Sequence, residues 1–219
     1  VNVALVRCWI TGISVTLEEH RDRLTELDSV IGDGDHGVNL VRGFARAALE
    51  LGAAPRSDET VGGLLDFTGG VLISTVGGAA GPLYGSAFRA MGTALGDTAE
   101  TDEARFAEAL QAGLDVLQEL GAADPGDKTM VDAYAPAVAA FRDTVLAHGG
   151  FLAAARAAAE AAETALDTTI TLRARKGRAS YLGLRTIGHQ DPGAASTTLV
   201  FRALADTIGS GRPGHLPGE

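Results

Sequence analysis

The chain is poor in cysteine, in aromatic residues and in positive charge, and it has no long apolar run. Cys8 is the only cysteine among 219 residues, which excludes an intrachain disulfide. Lys and Arg number 18 against 28 Asp and Glu, a formal charge of −10. A protein that binds nucleic acid over its surface needs a basic field, and this balance excludes one. An acidic chain can still hold a nucleotide in a local pocket through a divalent metal. No stretch approaches the ~18 uncharged apolar residues of a membrane span. The run Val3 to Val15 contains Arg7 and lacks a cleavage-site pattern, so no signal peptide is read there and the cytoplasm is the expected compartment. Aromatics make up only 5%, so Ala, Leu and Val must supply most of the core.

Small residues are abundant instead. Glycine occurs 29 times and alanine 39 times, without a Gly-X-Y repeat that would mark a collagen-like chain. Apolar residues recur at helical spacing over Val3 to Leu27, Asn39 to Leu51, Glu59 to Val76, Pro82 to Leu95, Asp102 to Leu120, Met130 to Ala147, Phe151 to Arg173 and Ala194 to Ile208. Thr101 or Asp102 is expected to cap one helix, Pro82 to open another, and Pro136 to kink or break a third. Gly62, Gly63, Gly69 and Gly70 are expected to permit close helix packing. About eight helices and no strand predict an all-α fold. Residues 1–208 read as a single helical domain, and residues 209–219 as a flexible Gly/Pro tail.

The remaining glycines gather in four connections, which suggests a site assembled from loops at helix ends. In the first, Asp28, Asp33 and Asp35 fall within a short stretch around Ile31-Gly32-Asp33-Gly34-Asp35-His36-Gly37. Converging carboxylates repel unless a cation lies between them, and their hard oxygens suit Mg²⁺ or Ca²⁺. An exposed acidic turn that only caps the next helix fits the same spacing. His36 is a metal or phosphate neighbour, or a capping donor. The second connection, Gly77-Gly78-Ala79-Ala80-Gly81, offers backbone N–H groups at a helix start, a geometry that suits phosphate or simply makes a turn. It lacks the Lys-Ser/Thr of a P-loop and the strand of a dinucleotide fingerprint. Ser74, Thr75 and Ser86 flank it as further donors. The third, Asp127-Lys128-Thr129, reads as a solvated turn or as a cation and hydroxyl offered to a ligand. In the fourth, Arg173, Arg175, Lys176 and Arg178 precede Gly188 to Gly193. They can neutralise a polyphosphate or form a salt-bridged face. Tyr181 is a packing or partner-facing aromatic. Carboxylates, N–H groups and cations together match the inventory of phosphoryl transfer, without an evident base or pocket for the acceptor.

These loops, in this order, resemble the L subunits of dihydroxyacetone kinases. The matching stretches are Leu27-Asp28 with Ile31 to Gly37, Ser74 to Gly85, Gly126 to Met130, and Ala174 to Ala194. The resemblance implies an eight-helix antiparallel barrel with ADP or ATP bound in the loops at one end. It implies that Asp28, Asp33 and Asp35 hold two Mg²⁺ ions. The nucleotide would be lined by His36, Gly37, Val38, Asn39, Ala79, Ala80, Gly121, Thr129, Met130, Arg178, Asp191, Pro192 and Gly193. Relatives usually carry Ser at the position of Ala80, so a hydroxyl contact is lost there while the backbone N–H remains. Arg178 is the implied catalytic residue, at the transferring phosphate. The implied partners are a separate K subunit that holds dihydroxyacetone and a phosphohistidine protein of the phosphotransferase system as donor. A homodimer is also open, while nucleic acid and membrane are excluded. The absence of a K domain favours ADP as a retained cofactor. An ATP-consuming kinase for dihydroxyacetone or another short keto-sugar, or a nucleotide-binding regulatory partner, are the alternatives.

Overall fold

The computed structural model describes residues 1–52 and 59–209. Among them the elements are α1 (Val3–Glu19), α2 (Arg21–Ile31), α3 (His36–Leu51), α4 (Val61–Thr75), α5 (Ala80–Leu95), α6 (Glu103–Gly121), α7 (Val131–Leu146), α8 (Gly150–Thr168) and α9 (Pro192–Gly209). Two 3₁₀ turns, Thr169–Thr171 and Arg178–Thr186, interrupt the last connection. The described residues contain no strand, only an isolated bridge between Asn2 and Glu100. Residues 210–219, most of the expected tail, lie outside the described residues; Gly209 still belongs to α9.

Side-chain caps start several helices where the sequence offers them. Asn2 accepts from Leu5 N–H, Thr60 from Gly63 N–H and Asp102, rather than Thr101, from Arg105 N–H. One expectation fails at the N-terminus. The pattern from Val3 to Leu27 is two helices, broken at His20, whose backbone leaves the helical region (φ −106°, ψ 7°). The His20 ring donates from Nδ1 to Thr16 O at 2.9 Å and seals the end of α1. Pro136 lies inside α7 without ending it, and Pro82 is the third residue of α5 rather than the first.

Eight helices form a closed ring. α1 packs on α3 and on α9, and each helix from α3 to α9 packs on the next. The ninth, α2, lies against α3 and α9 outside the ring. Successive connections fall at alternate ends, so neighbouring helices run antiparallel. The α3–α4, α5–α6 and α7–α8 connections share one end, where Val61 N–H donates to Thr98 O and the N-terminal ammonium to Thr101 O. The other connections gather at the opposite end and face a cavity. A bond from Trp9 Nε1 to Val200 O (3.1 Å) ties the first ring helix to the last.

The ring is narrow because its facing residues are small. Ala154, Ala155, Ala158 and Ala162 give α8 a flat, fully buried face. The few aromatics are joined to one another: Phe44 meets Phe88, and Phe106 meets Trp9 and Phe151, edge to face, while Trp9–Phe88 and Phe106–Phe141 are tilted pairs. Between α4 and α5 the backbones touch. A Cβ at Gly62 would collide with the carbonyls of Gly92 and Gly96, and one at Gly69 with Gly85 O. Gly63 and Gly70, expected to act likewise, do not: Gly63 meets only its own cap Thr60, and nothing lies near Gly70.

Candidate functional site

The α2–α3, α4–α5, α6–α7 and α8–α9 connections enclose a cavity of about 520 Å³, a size that suits a nucleotide-like ligand. Its acidic wall is set by Asp28, near the end of α2. The Asp28 carboxylate accepts from Asp35 N–H (2.9 Å) and His36 N–H (3.2 Å), so a side chain of one helix caps the next. Gly32 is required there, because a Cβ would strike Asp28 Oδ1. The loop then turns through Gly34 with φ +76° and brings Asp33 and Asp35 beside Asp28. One oxygen from each of the three lies within 4.8 Å of the others. Asp28 is buried while Asp33 and Asp35 are open to the cavity mouth.

His36 leads α3 and reaches across to α9, with Nε2 2.9 Å from Ser196 Oγ. Tyr84 of α5 completes the link, its hydroxyl 2.7 Å from Ser196 Oγ and 2.9 Å from Thr197 Oγ1. Burial pushes the His36 pKa down against three nearby carboxylates, and pushes the Tyr84 hydroxyl up to about 12. Both groups are therefore neutral near pH 7, and the link between the acidic loop and α9 is uncharged.

The glycine connection forms the second wall. α5 starts at Ala80 with no side-chain cap, and Gly78 (φ +65°) turns the chain so that Gly77 to Ala80 line the cavity. Unpaired N–H groups at such a start favour an anion. Ser74 and Thr75 do not join them, since both hydroxyls donate back to Val71 O. Asn39 lines the cavity below and is held through its Oδ1 by Arg42 (2.8 Å).

The third wall is basic. Arg178 bonds Asp33 at 2.7 Å, and Lys176 lines the cavity beside it. Arg175 instead points toward Asp127, at 3.9 Å, and Arg173 does not line the cavity. Asp191 opens α9, accepting from Ala194 N–H at 2.7 Å. Its full burial pushes the carboxyl pKa up to about 7. Leu83, Leu117 and Leu120 give the cavity an apolar side suited to a flat ring.

Asp28, Asp33, Asp35, His36, Asn39, Ala79, Ala80, Gly121, Thr129, Met130, Arg178, Asp191, Pro192 and Gly193 all line this one cavity. Gly37 and Val38 do not. Gly37 is buried against α2, where a Cβ would collide with Arg21 O, and Val38 points outward. Lys128 overturns the solvated-turn reading of its loop, being 1% exposed with its ammonium turned inward. Asp132 is a functional neighbour that the motif pattern does not mark. It accepts from Gly126 N–H (2.5 Å) and Thr129 N–H (2.7 Å) and shapes that loop. Its position three residues after Thr129, at a helix start, is the sequence signal that identifies such a clamp. Tyr181 is 89% exposed and is no packing residue.

A closed helical ring with carboxylates, uncapped N–H groups and guanidinium around one end cavity defines a class of α-helical domains that hold a charged ligand in end loops. Within that class the family is shown by the sequence: residues 30–206 match the model of the DAK2 domain, and the chain belongs to that family. It is 41% identical over 197 residues to the ADP-binding subunit DhaL of the PEP-dependent dihydroxyacetone kinase of Escherichia coli (strain K12), covering 90% of this chain and 93% of that one. It is 36% identical over 204 residues to D-erythrulose kinase of Mycolicibacterium smegmatis, covering 93% of this chain and 35% of that one. The crystal structure of the dihydroxyacetone kinase from C. freundii in complex with AMP-PNP and Mg²⁺ has the same fold (TM-score 0.71, 30% identity). The match covers 94% of this chain and 34% of the solved one, so this chain spans about a third of that kinase.

Proposed function

We propose that the chain is the nucleotide-bearing subunit of a dihydroxyacetone kinase, acting as one domain over residues 1–208 in the cytoplasm. The observation that carries this reading is the single cavity on which the acidic, glycine and basic connections converge, in a chain 41% identical to an ADP-binding subunit. The donor set fits a hard divalent cation, because the three carboxylates approach closely and one of them is buried. Asp28, Asp33 and Asp35 would hold two Mg²⁺ ions, which supply charge neutralisation to the phosphate oxygens. The N–H groups at the start of α5 would bind the phosphates, and the apolar side formed by Leu83, Leu117 and Leu120 would receive the base.

Arg178, already within bonding distance of Asp33, stands where it can meet the transferring phosphoryl group. Neutral His36 and Tyr84 hold the acidic loop to α9 without adding charge. A separate K subunit would present dihydroxyacetone; its hydroxyl oxygen would bond to the terminal phosphorus as the bond from that phosphorus to the bridging oxygen breaks, the hydroxyl proton would pass to a base on the K subunit, and ADP would stay on this chain. A phosphohistidine protein of the phosphotransferase system then returns a phosphoryl group to that ADP. The 41% identity to a PEP-dependent ADP-binding subunit supports ADP as a retained cofactor and dihydroxyacetone as the acceptor.

Reconstitution tests the reading. The purified chain, a K subunit, Mg²⁺ and dihydroxyacetone should yield triose phosphate with a phosphohistidine donor, and ADP should survive dialysis. Triose phosphate from ATP alone, with rapidly exchanging ADP, would instead place the chain among ATP-consuming kinases. No product with either donor would refute the kinase reading.

A further inference from the structure

The proposed reaction leaves Lys128 without a part, although it is among the largest fully buried side chains. Its backbone is left-handed (φ +62°), a conformation that a residue with a Cβ adopts only at a cost. The hydrogen bonds from Gly126 and Thr129 to Asp132 hold that conformation. Strain of this kind persists only where its surroundings impose it.

The conformation sends the side chain inward to four main-chain carbonyls. Nζ donates to Thr169 O (2.8 Å), Leu172 O (3.1 Å), Thr186 O (2.7 Å) and His189 O (2.5 Å). An ammonium has three protons, so one of them is shared between two acceptors. The acceptors fall in two places, the exit from α8 and the return toward α9. They form the neck of a loop over residues 172–189. Further bonds cross that neck, among them Gly188 N–H to Ile170 O (2.7 Å), Ala174 N–H to Thr186 Oγ1 (2.9 Å) and Asp191 N–H to Thr169 Oγ1 (3.0 Å). The loop carries Arg178 on its first 3₁₀ residue, reaching Asp33.

We propose that Lys128 is a positioning residue: its ammonium group closes the neck of the 172–189 loop and so holds Arg178 against the carboxylate cluster. No neutral side chain can satisfy four carbonyls gathered on one point, and unsatisfied buried acceptors are costly. The loop would then open at its neck, while the ring helices, joined by apolar packing, keep their contacts.

Hydrogen exchange of Lys128→Met tests this without reference to activity. Amides of 172–189 should exchange about tenfold faster or more relative to those of α5 and α6. No change in the loop, or equal acceleration everywhere, would overturn the proposal. Lys128→Gln retains two N–H donors and is read the same way if the methionine variant does not fold. Failure of both to fold would assign Lys128 to the ring itself and also overturn it. A second arm rests on the proposed phosphoryl transfer. Lys128→Met should lower kcat about tenfold with little change in KM for the acceptor subunit, and should cost nothing further in an Arg178→Ala background. Additive losses would count against positioning. If the unaltered chain transfers no phosphoryl group, the kinase reading fails while the exchange experiment still decides the role of Lys128.

Discussion

Asp28 and Asp33 share a side chain but not a role. Asp28 is buried and accepts two N–H groups that open α3, so it supports the fold as well as any bound cation. Asp33 is exposed and pairs with Arg178. Asp33→Ala should therefore abolish Mg²⁺-dependent ADP binding in calorimetry and change stability by no more than about 0.5 kcal/mol in denaturant titration. Asp28→Ala should lose both, at a cost of about 1–2 kcal/mol from the missing cap. The carboxylates were legible because they fall within eight residues, 28 to 35, punctuated by Gly32 and Gly34. Lys128 was not. Its acceptors lie 41 to 61 residues away and are main-chain carbonyls, which leave no trace in residue type.

At the scale of elements, helix existence followed from apolar spacing and from the capping residues, whereas packing did not. Four glycines on α4 look equivalent in the sequence, yet only Gly62 and Gly69 face α5. Gly62→Ala should destabilise by about 2 kcal/mol or more, because both opposing groups are rigid carbonyls. Gly70→Ala meets open space and should stabilise by up to about 1 kcal/mol through helix propensity. Opposite shifts in thermal midpoint would bear this out, and a loss at Gly70 would contradict it. The break at His20 was equally hidden, since neither glycine nor proline marks it. The basic connection was legible as irregular, but its 3₁₀ turns depend on Lys128 and Thr186 and thus on tertiary contacts.

For the molecule as a whole, one buried carboxyl sets a pH dependence. Asp191 titrates near 7 in the folded chain against an ordinary 3.8. Between those values the folded state holds a proton that the unfolded state has released. The associated stability is complete below the lower value and is lost as pH rises through the upper one. Asp191→Asn keeps an oxygen for Ala194 N–H and removes the titration. Its stability relative to the unaltered chain should improve by about 1 kcal/mol or more between roughly pH 5 and pH 8. Chemical denaturation at the two values measures it, and parallel profiles would place the proton elsewhere.

The bond between His36 and Ser196 spans 160 residues, from the acidic loop to the final helix. On a ribosome, the carboxylates emerge long before the helix that steadies them. A growing chain therefore exposes the carboxylate cluster before the far wall of the cavity exists. On the proposed function, capture would wait until α9 has left the exit tunnel and docked on α1, so a tightly held nucleotide would report that the ring has closed.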